Sequence, residues 1–274
     1  MKSKSKKEDL FNIEGKVIAI IGGVGILGKQ YVRYLSSLGA IIIIGDIKYS
    51  LCKKISKEIN NLGHQAFPLK IDNTDESSIS KFFIKITEKY GRLDVLINNA
   101  QIKPKGFYKS FEDYDKKTLE TVIDGNLIGV TLACQAVSKI FLNQKEGVIV
   151  NIASVYGISA ADQRIYEDVE NIYSNEGSLS SPVSYAISKA GIVQLTKYLA
   201  SYYREKNIRI NCLTPGGVYD NHNELFVKNY SYKTLLGRMA EKNEYNGAIL
   251  FLCSQASSYM NGANLIVDGG WTAI

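Results

Sequence analysis

The stretch that most limits what this chain can become runs from Lys16 to Asp46. An apolar run over 16–21 ends in Gly22-Gly23-Val24-Gly25-Ile26-Leu27-Gly28 and passes into Tyr31, Leu35 and Leu38 at helical spacing. A second apolar run, 41–45, stops at Asp46. Strand, glycine turn, helix and strand in this order let backbone N–H groups approach a pyrophosphate at a helix N-terminus. A carboxylate about 20 residues past the turn can accept hydrogen bonds from an adenosine ribose and repels a 2′-phosphate. The unit therefore predicts a dinucleotide site that takes NAD, with NADP the less favoured alternative that Lys48 keeps open.

The pattern continues as helix 49–62, strand 65–71, helix 75–90 and strand 93–97, then helices 111–125 and 126–142 and strand 147–152. After a helix that starts near Tyr185 come strand 208–213, a polar loop, helix 243–253 and a last strand 264–267. Unbroken apolar strands alternating with amphipathic helices predict an α/β fold, a doubly wound parallel sheet in a single domain. Neither an internal repeat nor a linker divides the 274 residues.

The formal charge of +6 is concentrated at the start, where Lys2, Lys4, Lys6 and Lys7 leave the body near +2. Residues 1–14 read as a flexible basic tail and 15–274 as the domain. No nucleic-acid footprint remains in the body. The cysteines Cys52, Cys134, Cys212 and Cys253 lie far apart in apolar runs without metal-ligand spacing, which fits reduced thiols in a cytoplasmic protein and predicts no metal. No apolar run reaches the ~18 residues that a membrane span needs, and no secretory signal is evident.

Tyr185 and Lys189 are one helical turn apart and share a face. An ammonium beside a phenol favours the phenolate, which would make Tyr185 a proton donor and acceptor near neutral pH.

From Gly15 to Trp271 the sequence resembles the short-chain dehydrogenase/reductase family, in its ordinary single-domain branch. The matching segments are Ile21 to Gly28, Asp72, Asn98-Asn99-Ala100, Asn126 in Asn-Leu-Ile-Gly, Ser154 in Asn-Ile-Ala-Ser-Val-Tyr-Gly, Tyr185 with Lys189, Pro215-Gly216, and Val267-Asp268-Gly269-Gly270. The resemblance implies that Tyr185 is the general acid/base and that Lys189 lowers its pKa and holds the nicotinamide ribose. Ser154 would bond the substrate oxygen, and Asn126 would help hold a water that passes protons from Lys189 to solvent. Cofactor contacts are implied at Gly22, Val24, Gly25, Ile26, Leu27, Gly28, Asp46, Ile47, Asp72, Asn73, Asn99, Ala100, Tyr185, Lys189, Pro215, Gly216 and Val218. A homo-oligomer, tetramer or dimer, is implied through helices 126–142 and 185–203.

The sequence departs from the family at four places. Glycines at 22, 25 and 28 resemble the spacing of the extended, nucleotide-sugar branch, and Ile26 stands where ordinary members place the middle glycine. Yet only 85 residues follow Lys189, too few for a separate substrate domain. Gln101 replaces a usual glycine and either touches substrate or points to solvent. Ser154 and Tyr185 are 31 positions apart, so an insertion over 159–181 forms a flap, a subunit contact or a solvated bulge. Finally, Asp220 stands where many members place a threonine, facing either the carboxamide or substrate hydroxyls, within a lid over 217–232. His222 reads as a polar lid residue.

The segments expected around the site are rich in hydroxyl, amide and carboxylate groups, which predicts a small polar, sugar-like substrate contacted by Gln101, Tyr156 and Asp220. The run Thr214 to Asn221 and the insertion resemble members associated with bacterial surface-glycan sugars, of nonulosonate (legionaminic-acid) type. Three functions remain open: an NAD-dependent oxidoreductase acting on an alcohol or ketone, an epimerase or dehydratase that uses NAD transiently, and a non-catalytic NAD-binding scaffold.

Overall fold

The computed structural model describes residues 9–171 and 179–274. Seven parallel strands form one sheet in the order β3-β2-β1-β4-β5-β6-β7. They are β1 (Val17–Ile21), β2 (Ile41–Asp46), β3 (Gln65–Lys70), β4 (Val95–Asn98), β5 (Gly147–Ile152), β6 (Ile208–Pro215) and β7 (Asn264–Val267). The helices are α1 (Ile26–Ser37), α2 (Tyr49–Asn61), α3 (Glu76–Tyr90), α4 (Lys116–Ile123), α5 (Gly129–Gln144), α6 (Val183–Tyr202), α7 (Glu224–Tyr232) and α8 (Asn246–Cys253). Sequence order reverses between β1 and β4, and a crevice opens there beyond the carboxyl ends of the strands.

Strand periodicity explains the layering. Ile18 and Ile20 of β1 face a core shared with Tyr31, Val32 and Leu35 of α1, Ile55 and Ile59 of α2, and Ile249 and Leu252 of α8. Their neighbours Val17, Ala19 and Ile21 face Phe82 and Ile86 of α3, Val137 and Phe141 of α5, and Ile192 and Leu199 of α6. Successive side chains leave opposite faces, so a strand buried on both needs continuous apolar residues. Each such fully buried isoleucine is worth roughly 1.5–3 kcal/mol over its exposed state.

Local signals set the helix ends. Asp75 caps α3 by accepting from Ser77 N–H, and Gly91 closes it in the left-handed region. Asp115 caps α4 by accepting from Thr118 N–H, so the helix begins five residues later than the pattern predicts and leaves Phe111 exposed. The two helices predicted on either side of Asn126 are one helical rod, joined by a π-helical turn over Asp124–Ile128. That rod, Lys116–Gln144, is long and apolar enough to cross a membrane by length and composition, contrary to the reading of single apolar runs. Half of its apolar window is buried, and α5 packs on α3, β4 and β5 as a core helix does.

Two expectations change at the edges. Of the predicted tail, residues 1–8 lie outside the described residues, but 9–14 are packed: Ile13 is fully buried, and Ala256 N–H donates to Leu10 O at 2.9 Å. The tail reading weighted charge and missed this apolar foothold. The segment read as a polar loop after β6 contains α7, whose Phe226 and Tyr230 are buried against the insertion and Trp271.

Candidate active site

A cavity of about 680 Å³ runs along the carboxyl ends of the strands from the glycine turn to α7. At the first end, Gly22 sits at φ +81°, and a Cβ there would lie 2.5 Å from the Ala100 backbone. A Cβ on Gly28 would lie 2.1 Å from Gly22 O, so these two positions require glycine for close packing. Asn99 Nδ2 donates to Gly22 O at 2.9 Å and ties the turn to the end of β4. Gly25 ends the turn at the start of α1, which has no side-chain cap, and Val24, Ile26 and Leu27 line the cavity around it.

Asp46 lies on the cavity wall with Ile47, its carboxylate accepting from Val24 N–H at 3.4 Å and Lys48 N–H at 3.0 Å. Asp72 and Asn73 follow β3, and Ala100, Pro215, Gly216 and Val218 complete this end. Asp72 Oδ1 accepts from Thr74 N–H and Oγ–H, at 2.9 and 2.7 Å. Asn73 Oδ1 is buried without a partner. An uncapped helix start, a glycine cradle too tight for side chains and an acid at the end of β2 fit a dinucleotide. Gly22, Gly25 and Asp46 would hold its pyrophosphate and adenosine ribose.

Midway along the cavity, β5 and α6 converge. Ser154 is buried just past β5, its Oγ accepting from Tyr156 N–H at 3.2 Å. Tyr185 lies in the first turn of α6 and lines the cavity together with Ser154. Asn126 sits in the π turn, where Oδ1 accepts from Ile102 N–H at 2.7 Å and Nδ2 is buried without a partner. Asn126 does not line the cavity; it acts on it through the backbone of the 101–103 lip. A π turn within a helix redirects side chains and recurs at functional positions.

The electrostatics differ from expectation at Tyr185. Burial pushes its phenol above the ordinary value, the neighbouring Ser154 hydroxyl opposes the rise, and Tyr108 adds to it. Lys189 does not hold it down in the chain alone. Its Nζ lies 5.8 Å from the Tyr185 ring centre and donates to Ile152 O at 2.8 Å. Burial lowers Lys189 itself from 10.5 to about 8. The shared helical face was read correctly, but the carbonyl at the end of β5 takes the ammonium.

The far end is aromatic. Phe107, Tyr108, Tyr156, Tyr166, Phe226 and Tyr230 line it, with Val169, Leu179 and Met239. The expectation of walls rich in hydroxyl, amide and carboxylate groups is only partly met here, because α7 and the insertion meet through an apolar cluster. Tyr156 and Tyr166 share a hydroxyl hydrogen bond of 2.9 Å, and burial pushes both phenols up, Tyr166 to about 12. Tyr166 tilts on Phe226, and Tyr230 stacks on Trp271 at 4.4 Å.

Over its described part the insertion is packed. Ile165, Tyr166 and Val169 are buried with Phe226, Tyr230 and Trp271, and Asp162 pairs with Lys233 at 3.1 Å. Tyr173 and Glu176 lie outside the described residues. Among the expected substrate contacts, Gln101 and Tyr156 line the cavity and Asp220 does not. Its carboxylate is bound by Lys242 Nζ at 2.5 Å, because Lys242 reaches back from the segment after α7. His222, Asn223 and Phe226 occupy the wall instead. The signal for this face was available in the sequence: His222, Phe226 and Tyr230 are spaced by one helical turn each.

Residues 16–167 match the family model described as short chain dehydrogenase, and residues 171–272 the model described as enoyl-(acyl carrier protein) reductase. The chain is 33% identical to the 3-oxoacyl-[acyl-carrier-protein] reductase FabG of Thermotoga maritima, over 94% of this chain and 98% of that protein. It is 31% identical to an NADH-dependent L-xylulose reductase of Ambrosiozyma monospora, over 96% and 97%. A short chain dehydrogenase from Leptospira borgpetersenii, solved with bound NAD+, superposes with a TM-score of 0.82 at 33% identity, covering 97% of this chain and 96% of that one. Glycine cradle, Ser154 and Tyr185 in one cavity wall, and buried Lys189 agree with these matches: the chain belongs to the short-chain dehydrogenase family of oxidoreductases.

Proposed function

We propose that the protein interconverts an alcohol and a ketone on a small polar, sugar-like substrate, using NAD(H) and Tyr185 as general acid/base. The observation that carries this reading is that Ser154, Tyr185 and Lys189 line the same cavity as Asp46 and the glycine turn. Tyr156 N–H occupies one lone pair of Ser154 Oγ, which leaves the serine proton for the reacting oxygen. The Tyr185 hydroxyl gives its proton to that oxygen in reduction and takes it back in oxidation. Its raised pKa keeps the phenol protonated in the chain alone, the form that donates when a ketone is reduced. A bound nicotinamide supplies or takes the hydride. The part in proton relay that the family resemblance gives Asn126 is supported by its buried, unpartnered Nδ2.

NAD is favoured over NADP because Asp46 faces the adenosine end of the cavity. A sugar-like substrate is supported by the name of the L-xylulose reductase, and the tyrosines offer ring faces and hydroxyls together. A place in surface-glycan biosynthesis is the narrower form of this reading and rests on the resemblance of the Thr214 to Asn221 run. We also propose a homotetramer or dimer through α5 and α6, supported by exposed Ile187, Tyr198 and Tyr202 on α6, and a cytoplasmic location, supported by four free buried cysteines.

The test is a screen of sugars, sugar acids and sugar phosphates with NAD or NADP, followed at the nicotinamide absorbance. One class of sugar-like alcohols should be oxidised with NAD and at least tenfold less well with NADP. Activity with apolar ketones alone would reject the substrate class, and a preference for NADP would reject the role given to Asp46.

A further inference from the structure

The lid gives the cavity a polar edge whose chemistry is one-sided. His222 and Asn223 both line the cavity. Asp220 N–H donates to His222 Nδ1 at 3.1 Å, which leaves the imidazole proton on Nε2. Asn223 Oδ1 caps α7, accepting from Leu225 N–H at 2.9 Å and Phe226 N–H at 3.4 Å. That contact consumes the acceptor of the amide and leaves its NH₂ group. Both side chains thus spend their acceptors on the lid's own backbone and keep only donors.

The donors are held in place. The His222 ring tilts on Phe226 at 5.3 Å and on Tyr219 at 6.5 Å, and Asp220 is anchored by Lys242. Burial keeps the imidazole below its ordinary pKa; Asp220 opposes this, and Lys103 and Lys242 reinforce it, so the neutral ring persists near neutral pH. Lys103 also lines the cavity and brings a positive charge into range of the lid. Glu170 lines it from the insertion, on a separate segment of wall.

We propose that this donor-only edge binds a carboxylate, and that the substrate is a hydroxy or oxo acid whose carboxylate lies away from the reacting carbon. A carboxylate accepts through two oxygens and donates nothing, which matches two N–H donors beside a lysine. A hydroxyl in the same place would have its own proton unmatched. The proposal rests on the oxidoreductase reading of the same cavity and narrows its substrate to an acid.

Equilibrium binding separates the two ideas, because it needs no turnover. The protein saturated with NADH is titrated with cyclohexanecarboxylate and with cyclohexanemethanol, and the nicotinamide fluorescence is followed. The carboxylate should bind at least about tenfold more tightly, the scale of one hydrogen bond to a charged group. Asn223→Asp keeps an oxygen for the α7 cap but replaces the amide NH₂ with a second carboxylate oxygen, and should abolish or reverse the preference. His222→Phe keeps the ring on Phe226 and removes Nε2–H, and should reduce the ratio about fivefold or more. Equal affinities in the native protein, or a ratio that neither substitution changes in folded variants, would overturn the proposal. A carboxylate preference in a protein that fails every oxidation and reduction would instead keep the recognition and reject the reaction.

Discussion

At the glycine-turn end of the cavity the wall is mostly backbone, whereas at the α7 end it is mostly side chain. Gly22 and Gly28 meet other main-chain atoms at distances that no side chain could share, and Asn99 fastens the turn to the next strand. Around α7 the wall is a separate apolar cluster of Tyr166, Phe226, Tyr230, Met239 and Trp271, drawn from three segments far apart in sequence. On the proposed function the first end would bind a group that is the same in every turnover and can be built rigidly. The second must fit one substrate among many, and side chains can be exchanged there without rebuilding the sheet. Tyr185 and Ser154 stand where the two ends meet.

The largest effect tests that junction. Tyr185→Phe keeps the ring and removes the proton, so turnover should fall by roughly 10²- to 10⁴-fold while NAD affinity stays near native. Near-native rates on an established substrate would sink the mechanism. Trp271→Ala should cost about 3–5 kcal/mol of packing, the range for a buried aromatic. If the two ends are independent, the loss appears as faster hydrogen exchange in 162–171 and 222–232 with NAD binding retained. A parallel loss of NAD binding would show that the ends are one unit.

Lys189 sharpens the comparison through pH. The folded chain holds it at about 8 and its ordinary value is 10.5, so between those values the unfolded chain carries the extra proton. Stability should therefore rise with pH across this window, and the full cost of the buried charge is present below it. Lys189→Met should stabilise the cofactor-free protein by up to about 3 kcal/mol near neutral pH. Urea denaturation should show the gain shrinking as pH approaches about 10. A difference independent of pH would rule out burial as its cause. The smallest effect is expected at Asp162→Asn, which removes the Lys233 pair at the surface of the lid cluster. Water screens such a pair, and the melting temperature should move by less than about 2 °C. A larger drop would mean that charge, rather than the aromatic cluster, joins insertion to lid.

Tyr166 shows where sequence reasoning falls short. As one residue of the insertion over 159–181 it carries no local signal of its own, yet it is buried, lines the cavity and is bonded to Tyr156. Its neighbours Phe226 and Trp271 are 60 and 105 positions away, and no local pattern announces such a meeting. The same holds for Asp220, whose partner Lys242 lies on the far side of α7.

Periodicity was enough for the doubly wound parallel sheet, and the family resemblance for singling out Ser154, Tyr185 and Lys189, because the strands and helices arise from contacts near in sequence and the motifs sit at their ends. The packing of 9–14, the continuity of the rod through Asn126 and the aromatic far wall were settled only by the tertiary structure. So was the direction of the Tyr185 shift: the sequence puts an ammonium one turn from a phenol, but which oxygen that ammonium meets depends on where β5 ends. Desolvation depends on everything packed around a group, and a linear sequence does not state what that will be.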